Sequence, residues 1–167
     1  PSMNGYTTSN ASIKIVGYKE SLPAHLPTAI YMDLQILANA PKRLIRSGFG
    51  DLVCRPTAQR DWLLSHLVLG TKYKSAPFDL IKEHEEKLFV EIKGIVKGDF
   101  NAIKLLCENL LLSGIGMYIS GGSYPASQGE HLIAHYMEMF YGNKLPETFH
   151  GEEIGVITLV MAEIQEK

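Results

Sequence analysis

From Leu34 onward, apolar residues recur at three-, four- and seven-residue steps: Leu37, Leu44, Ile45, Phe49, Leu52 and Val53. This is the period of an amphipathic helix. Pro41 suits a helix's first turn, where its missing N–H would have no partner in any case. Gly48 and Gly50 interrupt the run at SGFGD. A second apolar segment opens at Asp61-Trp62-Leu63-Leu64 and ends near Gly70. A third helix is predicted from Pro77 to Gly98. Its middle, residues 82–87, is almost wholly charged and so solvated, while Leu88, Phe89, Ile92, Ile95 and Val96 return to the core. Asp99 has the chemistry of an N-cap for a long helix through Ile103, Leu106, Leu110 and Leu111 towards Ile115. Further helices are expected over about 127–141 and, after a break at Pro146, over 154–164.

The first 28 residues follow no such period. They are rich in Ser, Thr, Asn, Gly and Pro and read mostly as loop. Residues 11–16 are a candidate strand, and residues 28–32 (TAIYM), β-branched and aromatic, are a second. There is no internal repeat. The pattern therefore predicts a mainly α protein, a helical bundle with a short β segment near the N-terminus. Residues 1–33 read as a linker with a strand remnant and residues 34–167 as the helical domain.

A chain of 167 residues can hold one domain with a substantial core. The formal net charge of −2 gives no global basic field for nucleic acid or an acidic membrane surface. The richest apolar stretch, 105–119, is broken by Glu108 and Asn109, so no transmembrane helix is expected. Cys54 and Cys107 are far apart, fit no CxxC pattern and have no secretory signature before them, so they read as reduced thiols in a cytoplasmic protein. A start at Pro1, and an end inside a helix-like pattern, are what a piece of a larger protein would show.

One absence bears on chemistry. Residues 105–143 contain no Lys or Arg, although Glu108, Glu130, Glu138, His131 and His135 lie among them. Such a gap implies burial and suits a place where a cation sits. His131 and His135 are four apart and share a helix face, with Glu138 one turn further on. Such a pair can aim two imidazole nitrogens at one point, as a zinc site requires. Taken alone, it equally describes core histidines satisfied by hydrogen bonds. His150, directly before Gly151, reads alone as a histidine at a helix N-terminus. Asp51 follows two glycines, where backbone can approach another group closely, but it also fits an ordinary turn or capping aspartate.

Together these strings resemble a known family. SGFGDLVC is similar to the GxGD element of the iron-containing alcohol dehydrogenase superfamily, GGSYPASQGEHLIAHYME to its RPASGxEHLxSHxxE segment, and FHGEEIGV to its HGxxVG element. PSMNGYTTSNASI resembles the stretch joining the family's nucleotide-binding domain to its helical domain. The run from Lys19 to Val53 resembles the glycerol-1-phosphate dehydrogenase branch throughout. The resemblance implies a helical fold like the C-terminal α-domain of dehydroquinate synthase, with Asp51, His131 and His150 as metal ligands. Zn²⁺ is the expected ion, with Fe²⁺ or Ni²⁺ also accepting such ligands. It implies His135 as the proton-relay residue, and Asn4, Ser123 and Ser127 as substrate-binding residues. The implied reaction exchanges hydride between sn-glycerol 1-phosphate or dihydroxyacetone phosphate and NAD(P). The implied partners are that small phosphorylated substrate and a possible second copy of the chain, with neither nucleic acid nor membrane.

Two departures from the family pattern stand out. No GxGxxG follows a strand, so the nucleotide-binding domain is expected to be missing and the chain inactive alone. Asn4 stands where many members have Asp. Two alternatives remain at this point: a 3-dehydroquinate synthase-like enzyme, which usually has Glu where Asp51 stands, and a non-catalytic helical interaction module.

Overall fold

The computed structural model describes residues 4–15 and 18–167, and only the backbone of Asn4, Lys14, Tyr18, Lys19, Ser21 and Asn143. A single 3-10 turn, Asn4–Thr7, is tied down by Thr7, whose hydroxyl donates to the Leu111 carbonyl at 3.0 Å. It leads into an antiparallel hairpin of β1 (Asn10–Ile15) and β2 (Tyr18–Pro23), in register from Asn10 opposite Pro23 to Ile15 opposite Tyr18. β1 is the strand expected over 11–16, Val16 lying outside the described residues. Residues 28–32 are not the second strand. They run irregularly with Tyr31 fully open to solvent and pair with neither strand of the hairpin, whose second strand is the unanticipated β2. β propensity without a partner to pack on does not make a strand.

The rest is helical, as the periodicity predicts. α1 (Leu34–Ala38) is capped by Asp33, whose Oδ1 accepts from Gln35 N and Ile36 N. α2 (Lys42–Leu52) and α3 (Arg55–Leu69) follow. α3 begins six residues before the expected Asp61 and stops where Gly70 turns left-handed, at φ 70°. The helix expected from Pro77 to Gly98 is three short ones, α4 (Ala76–Asp79), α5 (Lys82–Val90) and α6 (Ile92–Lys97). The bend at Glu91 (φ −90°, ψ 14°) turns α6 so that Gly94 lies close against Ala102 of the next helix. α7 (Phe100–Ser120) starts at the expected cap: Asp99 Oδ1 accepts from Asn101 N and Ala102 N, both at 3.0 Å. α8 (Gly129–Tyr141) and α9 (His150–Gln165) complete the chain.

α7 is the centre of the larger core, with Ile103, Leu106 and Leu110 packed on Ile45 and Leu52 of α2, Leu88 of α5 and Ile95 of α6. By length and composition α7 could cross a membrane, but more than half of its apolar stretch is buried inside the protein, as befits a core helix. A smaller core joins Cys54, Ala134 of α8, and Ile154, Ile157 and Met161 of α9. Arg55, 1 % exposed, stitches α3 to its neighbours: Nε donates to Glu85 Oε1 at 2.9 Å, and the guanidinium also reaches Ser113 and the Pro77 carbonyl. A buried guanidinium is tolerated only when its donors are met in this way.

SGFGD departs most from its sequence reading. Gly48 and Gly50 do not interrupt a helix; both lie inside α2. The smallness of Gly50 serves the crossing of α2 and α9. A methyl group on Gly50 would stand 2.0 Å from the Gly151 carbonyl oxygen, and one on Gly151 would stand 1.8 Å from the Ser47 carbonyl oxygen. Gly155 completes the seam, its missing Cβ 3.2 Å from Gly50 Cα. The obstacles are backbone atoms, which cannot swing aside. Gly50→Ala or Gly151→Ala should therefore force the helices apart and destabilise the fold by about 3 kcal/mol or more, the upper range for overpacking. Urea unfolding followed by circular dichroism measures this; a loss near the few tenths typical of a surface site would show that the helices do not touch.

Candidate metal centre

The seam sets where two of the expected residues stand. Asp51 occupies the last turn of α2 and His150 the first position of α9, and the backbone contact brings them side by side. His150 Nε2 lies 3.5 Å from Asp51 Oδ1. His131, in the first turn of α8, turns its Nε2 to the same oxygen at 3.9 Å. One donor atom from each of the three residues lies within 4.8 Å of the others. Asp51 and His131 are buried and His150 is partly exposed, so the cluster is open on one side.

α8 begins in a braced position. Asp61 of α3 accepts from Gly129 N through Oδ2 at 3.1 Å and from the Gln165 side chain through Oδ1 at 2.7 Å, tying α3, α8 and α9 together. At Gly129 a Cβ would stand 2.6 Å from Met161 Cε and 2.7 Å from Asp61 Oδ2, side-chain ends that would have to shift to admit it. Next comes Glu130, with no exposed surface. Its Oε1 accepts from Gln128 N at 2.8 Å and lies 2.9 Å from His131 Nδ1. Burial raises the cost of its charge, but the hydrogen bonds from His131 and Gln128 outweigh this and hold the carboxyl below the usual glutamate range. Beneath the cluster, burial first and then Glu130 and Asp51 push the Cys54 thiol well up, so it stays protonated, with the Asp51 and Ala126 carbonyls both in reach of its single S–H.

The open side is a cleft of about 300 Å³. His135 lines it, one helical turn from His131, with ring centroids 6.2 Å from His131 and 6.4 Å from His150. Ser123 and Ser127 line it as well. Six of the seven residues singled out in the sequence thus share one place, and the side chain of the seventh, Asn4, lies outside the described residues. Glu138, on the same stripe as the histidines, faces a different cleft, between α8 and the loop at 142–148. Sequence reasoning gave no role to Glu130, Asp61 or the hairpin residues Thr8, Ser9 and Ser12, which form one wall of the cleft. For Glu130 a signal existed, its place in the EH pair of the motif. For the hairpin there was none.

Across the seam on the solvent side, Arg43 grips Glu152 with two hydrogen bonds, Nε to Oε1 at 2.7 Å and Nη2 to Oε2 at 2.8 Å. Glu152 also accepts from Phe149 N at the start of α9.

The chain resembles the family described as iron-containing alcohol dehydrogenase through residues 1–41, which match that family's model. It is similar along nearly all of its length to proteins named glycerol-1-phosphate dehydrogenase [NAD(P)+]. The one from Sulfolobus acidocaldarius is 38% identical over 164 residues, 98% of this chain and 46% of that protein. Those from Geobacillus thermodenitrificans and Pyrococcus furiosus are each 34% identical, over 98% and 96% of this chain and 41% and 46% of their own lengths. The chain thus spans less than half the length of these curated relatives. The family-model match ends before Asp51, so the three clustered residues rest on their own geometry.

The Arg43–Glu152 pair has a defined acid limit. Arg43, then Phe149 N–H, holds the Glu152 carboxyl at about 2 against an ordinary 4.5. A depressed carboxyl stabilises the folded state above its unfolded value and loses that contribution as pH falls towards 2. Glu152→Gln should therefore lower the urea midpoint at neutral pH, and its deficit should close between about pH 4.5 and pH 2. A deficit independent of pH would mean that the charge contributes nothing.

Proposed function

We propose that Asp51, His131 and His150 hold one divalent cation, and that the chain is the metal-binding part of an NAD(P)-dependent glycerol-1-phosphate dehydrogenase. The observation that carries the first part is a pair of distances. His150 and His131 present Nε2 to one oxygen of Asp51 at 3.5 and 3.9 Å. Direct hydrogen bonds would be shorter than about 3.2 Å. Two ligands on a tetrahedral ion, each at about 2.0–2.2 Å from it, stand roughly 3.4 Å apart. The donor set fits: one carboxylate and two imidazoles leave a position for a small molecule, as catalytic rather than structural sites do. Zn²⁺ suits these donors, and Fe²⁺ or Ni²⁺ would also accept them.

Bound there, such an ion would supply Lewis-acid polarisation of a secondary hydroxyl or carbonyl oxygen. The chain's own residues do the rest. His135, at the open side of the cleft, carries the proton between that oxygen and solvent, a task suited to imidazole near neutral pH. The hydroxyls of Ser123 and Ser127, with Asn4, hydrogen-bond the substrate. Residues 34–167 form the metal-binding domain, and residues 1–33 form an interdomain region whose hairpin walls the cleft. Glycerol 1-phosphate as substrate and the use of NAD(P) follow from the relatives' names; the sn form and dihydroxyacetone phosphate as its oxidised partner follow from the family resemblance. The described residues form only a two-stranded antiparallel sheet, so none of them builds a dinucleotide fold, and turnover requires residues beyond these. Exposed apolar side chains along α3 (Leu64, Leu67, Val68) and α9 (Val156, Leu159) are consistent with further polypeptide or a second copy meeting the chain there. The cytoplasm, with its reduced thiols, suits two buried cysteines that form no disulfide with each other.

Calorimetric titration of Zn²⁺ into the chain should show one equivalent bound, with a gain of about 2.7 kcal/mol in stability at a hundredfold excess over Kd. Asp51→Ala, His131→Ala and His150→Ala should each abolish the stoichiometric ion, while His135→Ala keeps it. Wild type binding no ion, or the three variants binding like wild type, would overturn the reading.

A further inference from the structure

We propose that Glu130 is a positioning residue for the metal centre: it fixes the proton of His131 on Nδ1 and so presents the lone pair of Nε2 to the ion. This rests on the metal reading above and assigns a residue that the reading does not use. The geometry is one-sided. His131 has two ring nitrogens, and they face two different carboxylates. Nδ1 lies 2.9 Å from Glu130 Oε1, within hydrogen-bond range, while Nε2 lies 3.9 Å from Asp51 Oδ1, beyond it. An ionised carboxylate only accepts, so the nitrogen beside Glu130 must be the one that donates. Neutral imidazole has a single proton, so Nε2 is left bare towards the cluster.

Glu130 is well placed to stay an acceptor. It has no exposed surface, and the same Oε1 takes a second hydrogen bond from Gln128 N at 2.8 Å. It stands in the first turn of α8, where the N–H ends of the helix favour negative charge. Its other oxygen, Oε2, is buried with no protein partner among the described residues. A carboxylate that served only to cap the helix would need no histidine on the oxygen that caps. Here one oxygen does both, so the start of α8 and the ring of His131 are held as one unit. A carboxylate behind a ligating imidazole also raises its basicity, and such partners are generally worth roughly 10–100-fold in metal affinity.

Two measurements test this. In the metal-free chain, long-range ¹H–¹⁵N spectra of the imidazoles should show His131 protonated at Nδ1 alone, and Glu130→Gln should shift it towards a mixture, because an amide can also donate. In calorimetry, Glu130→Gln should weaken Zn²⁺ by roughly 10–100-fold while the bound ion stays at one equivalent. Glu130→Asp, which keeps the charge but draws it back by one methylene, serves if the amide variant does not fold, and it too should weaken Zn²⁺. A residue that merely capped α8 would lower the melting temperature and leave both the tautomer and the Zn²⁺ affinity unchanged, and that result overturns the inference. Wild type that binds no Zn²⁺ yet shows His131 protonated at Nδ1 would sink the metal reading while leaving the tautomer assignment standing. An Nε2-protonated His131 that binds Zn²⁺ normally would do the reverse.

Discussion

The backbone contact between α2 and α9 is the constraint on which the rest of the candidate centre depends. Three glycines, Gly50, Gly151 and Gly155, let the helices meet without side chains between them. Interaxial distances of 8–10 Å are usual when side chains intervene; here a single methyl group is already too much. Two consequences follow. Asp51 and His150, one at a helix end and one at a helix start, come within 3.5 Å of each other. They are also held by regular backbone rather than by loops, so their spacing varies little, which is what a convergent set of ligands needs. His131 joins them from a third helix, whose start is held by Asp61 of α3. The site is a meeting of helix ends, and glycine marks two of the three approaches.

That constraint also explains what the sequence reading could and could not see. Helices with long apolar periods and clear ends were legible: α7 behind Asp99, α3 up to Gly70, α9 after the break at Pro146. Their signals are local, a capping carboxylate, a left-handed glycine, a recurring apolar face. SGFGD was misread because a glycine's local effect and its tertiary use have opposite signs. Within one helix it costs up to about 1 kcal/mol relative to alanine, which reads as an interruption. Across two helices it permits contact that no other residue allows. The idea that backbone approaches closely beside Asp51 was sound, but the approach is made by another helix. The missed β2 has the same origin. Its sequence, YKESLP, carries little β propensity, and it is a strand because β1 offers a ladder within a hairpin.

The candidate ligands were legible in a different way. Asp51, His131 and His150 each have an ordinary local reading, and nothing in their separation along the chain says that they meet. Only the resemblance of three spaced elements did so, and the relatives similar over 96–98% of the chain support the same likeness. Glu130 shows the limit of that route. An acidic residue in a helix's first turn is what any surface helix would have, and its neighbour His131 drew all the attention. Only coordinates show that it is wholly buried and turned onto the imidazole.

In α8, the run without Lys or Arg from 105 to 143 has two physical causes, and they lie on opposite faces of the helix. Outward, Leu132, Tyr136 and Phe140 form an exposed apolar face that carries no charge of either sign. Inward, Glu130 and His131 turn to the centre. There two buried carboxylates, Asp51 and Glu130, meet the same imidazole at different ranges: 2.9 Å, where a proton is shared, and 3.9 Å, where it is not. A lysine or arginine on this face would have satisfied both carboxylates directly and closed the gap. Without one, the inner carboxylate is met by N–H donors, and the outer one stands with two imidazole nitrogens at the spacing of atoms around a common ion. Two carboxylates thus take different roles within one cluster, told apart by their distance from the imidazole they share.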